Sequence, residues 1–323
     1  ARGAGDPSER KFVFVYCRGG WDNTMLFTPE FDNPLVDMEG RAEPMTVGDL
    51  TFVAHPMRPL TTAFLQDNAH QTAFMVGMEV RSVTHERCEQ MLMTGGSSAN
   101  GDDWPSLIAA RSSQTLRLPH IVMYGRAYTE HHTRDVVRVG SAGQLPALLA
   151  GTALDTTGLD RSAIFSPQVE ALADARVREE AARWAAMDQP RHAQVGTDYA
   201  YALDSVAGLQ DVGDQLTFHP TYAGCSRDLG SDVSAILDAM ELGLTRCGLV
   251  QFDGWCGAGW DTHENNAKQS EHYELLFEFL THIQTDIADR TSPSGAPLAD
   301  EVTFVVVSEM GRTPQLSAGG RHH

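Results

Sequence analysis

The chain has 323 residues, 42% of them apolar and 21% charged, which excludes a disordered polymer, a collagen-like fibre and a small disulfide-stapled scaffold. Acidic residues number 43 and basic residues 24, so the formal charge is -19. Such a surface repels nucleic acid and anionic lipid at long range, so no nucleic-acid partner is expected, although a metal ion can still reverse the field locally for an anionic ligand. The apolar runs fall far short of the ~18 residues that a bilayer crossing needs, so no transmembrane segment is expected.

Phe12 to Tyr16 is a short, wholly apolar run and reads as a buried parallel strand, released into Arg18-Gly19-Gly20-Trp21-Asp22. Residues 28–62 are rich in Pro, Asp and Gly and read as a long excursion loop. Ala73 to Val76, running on toward Val80, is a second strand candidate, with His85 just beyond it. Trp104-Pro105-Ser106 suits the first turn of a helix over Leu107 to Ser112, and Leu118 to Tyr124 reads as a third strand. A second loop-like stretch covers 126–166.

Val169 to Met187 predicts a helix that Gln189-Pro190 stops. Ser231 to Leu242 predicts another, with Ser231 as its cap and Val233, Ile236, Leu237 and Met240 on one face. Cys247 to Phe252 is a fourth strand. The clearest amphipathic helix is 267–289, with Asn265 and Asn266 as candidate caps, and Val302 to Val307 is a fifth buried strand. Apolar strands alternating with helices, without an internal repeat, predict one α/β domain over 1–323, a mostly parallel sheet sandwiched by helices. In such folds ligands collect at the carboxyl ends of the strands, where the polar clusters of this chain lie.

Five cysteines, Cys17, Cys88, Cys225, Cys247 and Cys256, include no Cys-x-x-Cys pair, which argues against a zinc ribbon or a thioredoxin-type site. Cys225, Cys247 and Cys256 are close enough in sequence for one disulfide, with the pairing open; buried free thiols are the alternative. The chain opens Ala-Arg-Gly-Ala-Gly-Asp-Pro with no initiator Met, which fits either a processed, exported protein or a trimmed one.

The candidate chemistry lies at the strand exits. Asp22 suits a hard metal or a substrate hydroxyl, or else caps the turn. Asp261 and His263 stand at i and i+2, so extended backbone points both into one metal sphere of the zinc or manganese kind; a local Asp–His hydrogen bond is the rival. Glu309 and Arg312 either pair structurally, or Glu309 binds metal while Arg312 grips a tetrahedral anion. His322 and His323 close the chain after Arg321 as ligands on a glycine loop, or as remnants of a tag. His85 is a candidate ligand or acid, and Thr84 or Ser82 a candidate nucleophile, with Ser97 and Ser98 as rivals. No Gly-x-Ser-x-Gly, Gly-x-Gly-x-x-Gly or Walker A sequence occurs, so no nucleotide cofactor is expected. Trp21, Trp255 and Trp260, near acids, offer faces for stacking on a glycan, or else fill the core.

The Gly19-Gly20-Trp21-Asp22 exit, Val80-Arg81-Ser82 through Thr94-Gly95, Gly259-Trp260-Asp261-Thr262-His263-Glu264-Asn265-Asn266, and Ser308-Glu309-Met310-Gly311-Arg312-Thr313-Pro314 through Gly320-Arg321-His322-His323 resemble the DUF1501 family. The likeness extends over nearly the whole chain, with His322 where that family has Asp and Met310 where it has Phe. The resemblance implies an exported bacterial protein, periplasmic or extracellular, with an alkaline phosphatase/sulfatase-like fold continuing past this last motif. It implies a metal centre near Asp22, Asp261, His263, Glu309 and His323; a divalent ion, zinc, manganese or calcium, is expected there, with Thr84, His85 and Arg312 as the catalytic candidates read from the residues themselves. The implied activity is hydrolysis of a small anionic phosphate or sulfate ester. Two other readings stand beside it: a non-catalytic secreted structural subunit, homo- or hetero-oligomeric, that retains the fold, and a carbohydrate-binding protein.

Overall fold

The computed structural model describes residues 9–96, 101–139, 165–209, 212, 215–216, 222–317 and 319–323. In chain order these form β1 (Lys11–Cys17), β2 (Glu43–Val47), β3 (Leu50–Ala54), α1 (Pro59–Asn68), α2 (His85–Thr94), α3 (Trp104–Ala110), β4 (His120–Met123) and β5 (Val136–Val139). There follow α4 (Pro167–Ala185), α5 (Pro190–Leu209), β6 (Tyr222–Ala223), β7 (Ser226–Arg227), α6 (Leu229–Glu241), β8 (Cys247–Phe252), α7 (Lys268–Ala288), α8 (Leu298–Glu301) and β9 (Val302–Val307).

Five strands make the central sheet in the order β5-β4-β8-β1-β9, and every pairing within it is parallel. The expected mixed α/β architecture, a parallel sheet flanked by helices, is therefore the one observed. Alternation along β1 shows how both faces are covered. Val13, Val15 and Cys17 enter the main core with Ile236, Leu237 and Met240 of α6 and Leu276 and Ile283 of α7. Phe14 points the other way, to Met93 of α2, Val122 and Leu249, with Ile108 of α3 packed alongside.

The continuous apolar runs mark the strands because a doubly covered parallel strand has no solvent face to spend polar residues on. The run Ala73–Val80 forms no strand. Residues 72–84 hold neither helix nor strand, and Met75, Val76 and Met78 are exposed. Gly77 at φ +81° and Arg81 at φ +45° turn this chain out of ladder geometry.

The expected loop 28–62 contains the β2–β3 hairpin, which buries Phe52 and Val53, and the start of α1. The expected loop 126–166 contains β5; its part from 140 to 164 lies outside the described residues. Pro190, read as a stop, opens α5, since a proline at the first helical position gives up only an amide that the helix leaves unpaired. The cap of α6 is Asp228, whose carboxylate takes the Ser231 amide and hydroxyl, so Ser231 is capped rather than capping. Asn266 leaves the start of α7 uncapped and donates to Asp22 instead.

Cys225 and Cys256 form a disulfide between the β6–β7 turn and the loop after β8. Cys17, Cys88 and Cys247 are free and buried. Among the described residues no helix is long and apolar enough to cross a membrane.

Candidate metal centre

Parallel register levels the ends of three adjacent strands: Cys17 of β1 pairs with Phe252 of β8, and Tyr16 with Val307 of β9. The segments that follow, 18–22, 253–263 and 308–312, therefore leave from one rim. They touch at Gly19, whose φ is +124° and where a Cβ would stand 2.4 Å from the Asp261 amide nitrogen. Only glycine admits both the conformation and the approach. Trp260 anchors the second segment. Its indole is fully buried among Phe252, His272 and Tyr273 and donates to the Phe252 carbonyl at 3.2 Å. Gln269 ties the base of the same loop, its amide donating to the Trp260 carbonyl at 2.7 Å and to Thr262 Oγ1 at 3.0 Å.

Four ligand atoms converge above this floor: one each from His85, Asp261, His263 and His323, all within 4.8 Å of one another. Asp261 Oδ2 lies 3.2 Å from His85 Nε2, and its Oδ1 lies 2.8 Å from His263 Nε2 and 4.0 Å from His323 Nε2. The Nε2 atoms of His263 and His323 are 3.1 Å apart, and His263 Nδ1 is 2.9 Å from His322 Nδ1. Burial raises the Asp261 pKa, but hydrogen bonding and charge from Arg312, with His263 and His85 beyond, outweigh it and hold the carboxyl below its ordinary range. Burial and the charges of His85, Arg312 and His263 lower His323, against the pull of Asp261. The group thus favours a carboxylate anion beside a neutral imidazole.

This donor set fits a divalent cation. Around zinc at ~2.0–2.1 Å, tetrahedral ligand atoms stand roughly 3.4 Å apart, and the separations here bracket that spacing. Three imidazoles and one carboxylate are a zinc-like complement rather than the all-oxygen shell calcium prefers. Behind the group, Glu309 Oε1 accepts from the Gly19 amide at 2.8 Å and lies 2.8 Å from His85 Nδ1; with the proton on Nδ1, His85 Nε2 would be free to bind a cation.

Of the residues expected from the sequence, Asp261, His263 and His323 meet in the group that could hold a metal ion, and His85 joins them. Asp22 and Glu309 do not. Asp22 is fully buried with both oxygens taken: Oδ1 accepts from the Thr24 amide and hydroxyl at 3.0 and 2.7 Å, and Oδ2 accepts from Asn266 at 2.8 Å and pairs with Arg321 at 2.7 Å. Its role is the turn cap, as the rival reading had it. Glu309, also buried, orients His85 from behind.

Arg312 does not present a guanidinium to an anion. Its side chain is fully buried and donates to the carbonyls of Gly20 at 2.8 Å, Trp260 at 2.9 Å, Arg321 at 3.3 Å and Gly19, and to Asp261 Oδ1 at 2.8 Å. Thr84 stands at the N-cap position of α2, its hydroxyl 3.1 Å from that of Ser82. Ser97 and Ser98 lie outside the described residues. Trp260 is core and cannot stack on a glycan; Trp21 is half-buried against Phe27 and Tyr273, and Trp255 is exposed.

Sequence reasoning missed three supports: Gln269, the buried Arg321–Asp22 pair and the orienting role of Glu309. Only a polar residue at an otherwise apolar helix position, Gln269 in α7, gave any signal. Compared with known proteins, the chain matches no family model, no curated protein and no solved structure.

Proposed function

We propose that this chain is a metal-dependent hydrolase of phosphate or sulfate esters, with an alkaline phosphatase/sulfatase-like fold of the kind its DUF1501 resemblance implies. The observation that carries the reading is the convergence of His85, Asp261, His263 and His323 at the carboxyl rim of a parallel sheet, with Glu309 behind His85. Zinc is the metal this set favours, ahead of manganese and calcium.

Asp261 and the three imidazoles would hold the cation. Bound there, a divalent cation supplies Lewis-acid polarisation of an ester oxygen and lowers the pKa of a water or hydroxyl nucleophile. Glu309 keeps the His85 proton on Nδ1. Asp261 stays anionic through Arg312 and is about two-fifths exposed, so one side of the group is open to water and ester. Thr84, next to His85, is the side-chain nucleophile of this reading, with water as its rival. Export to the periplasm or beyond belongs to the same proposal, and the Cys225–Cys256 disulfide supports it, since such bonds persist in oxidising compartments.

Elemental analysis of the purified protein tests this. About one equivalent of zinc per chain is expected, lost in Asp261→Ala together with turnover of p-nitrophenyl phosphate or sulfate. Protein that takes up no zinc or manganese on dialysis sinks the proposal. The buried Arg312 favours one alternative, a non-catalytic assembly subunit that retains the metal shell. Metal-loaded protein without turnover, running as an oligomer, would support that alternative.

A further inference from the structure

With Arg312 committed to carbonyls and Asp261, an anionic ester reaching the metal group needs another cation. The chain as a whole, with a formal charge of -19, repels it at long range. Arg18 meets the need by position. It is exposed at the exit of β1, between buried Cys17 and the glycine whose amide binds Glu309. Its carbonyl accepts from the Trp260 amide at 3.0 Å, which fixes its backbone one residue from Asp261. Its charge reaches Glu86, the residue after His85, Glu89 in the same turn of α2, and Tyr124. In a chain with 43 acids to 24 bases, no carboxylate among the described residues lies within 4.0 Å of this guanidinium. An exposed planar donor fork on this rim, without a carboxylate partner among the described residues, suits two oxygens of a tetrahedral anion.

We propose that Arg18 is the anion-recognition residue of this site, donating in bidentate fashion to the non-bridging oxygens of a phosphate or sulfate monoester. The inference rests on the hydrolase reading, but its test does not depend on turnover.

Zinc-supplemented protein is titrated calorimetrically with orthophosphate. Arg18→Ala is expected to weaken binding about 10- to 100-fold, the range for losing hydrogen bonds to a charged group. Arg18→Lys restores part of it, and Arg176→Ala, on exposed α4, leaves it unchanged. Arg18 is exposed, so folding of its variants is expected to be intact, and a melting curve checks it. If esters are hydrolysed, kcat/KM for p-nitrophenyl phosphate falls by the same factor in Arg18→Ala while that for neutral p-nitrophenyl acetate holds. Orthophosphate binding that is absent in the parent protein, unchanged in Arg18→Ala, or weakened equally by Arg176→Ala overturns the inference. Binding that depends on Arg18 in a protein inert toward every ester supports it and removes the hydrolase reading alone.

Discussion

At Glu309 one carboxylate oxygen takes two donors, the Gly19 amide and His85 Nδ1, and so chooses which imidazole nitrogen of His85 faces the other ligands. Glu309→Gln keeps the shape but offers His85 a weaker and ambiguous partner. Zinc affinity, measured by competition with a chromogenic chelator, is expected to fall about 10- to 100-fold; unchanged affinity would remove Glu309 from the site. Asp22 makes the opposite case. Its buried partner Arg321 would be left charged and unpaired in Asp22→Ala, a loss of roughly 3–5 kcal/mol in urea unfolding. Metal content in the surviving folded fraction should not change, whereas a ligand role for Asp22 would abolish it. The Asp261–His263 spacing was readable from the chain because i and i+2 share a face whatever lies around them. The fates of Asp22 and Arg312 were not, because their partners, Arg321 and four backbone carbonyls, arrive only with the tertiary fold.

Among the elements, the strands that sequence located well are β1, β4 and β8, covered on both faces, and β9, an edge strand that is only partly buried after Val302 but keeps an apolar run. What escaped was half-exposed or locally broken. The β2–β3 hairpin carries Pro44 and polar residues on its outer face, and the run through Met75 and Val76 has strand composition but is interrupted by Gly77. Composition reports burial, and pairing must be inferred from it. The grip of α6 on the sheet can be measured directly. Ile236 is fully buried and lies against Gly248 of β8, where a Cβ would stand 2.4 Å from Ile236 Cγ2. Ile236→Ala is expected to cost about 2–5 kcal/mol, read from the urea midpoint at constant slope. A cost under about 1 kcal/mol would mean that this contact is looser than the coordinates place it.

For the whole molecule, two buried imidazoles set an acid limit. Burial pushes His120 down to about 4, against the opposing charge of Asp103, and pushes His272 down to about 4 as well. Both are neutral in the native state, while the unfolded chain takes up protons from roughly pH 6.5. Their contribution is therefore complete above pH 6.5 and is lost as pH falls toward 4, about 3 kcal/mol for each. Unfolding of chelator-treated protein at pH 7, 5.5 and 4.5 should show that slope, flattened in His272→Gln. A flat profile in the parent would contradict it.

Trp260 gives the molecule one more property. An indole sealed from water and joined by one peptide bond to Asp261 emits from an apolar setting next to that carboxylate. A cation held by Asp261 would therefore be expected to alter the Trp260 contribution to the intrinsic fluorescence, against the background of four other tryptophans.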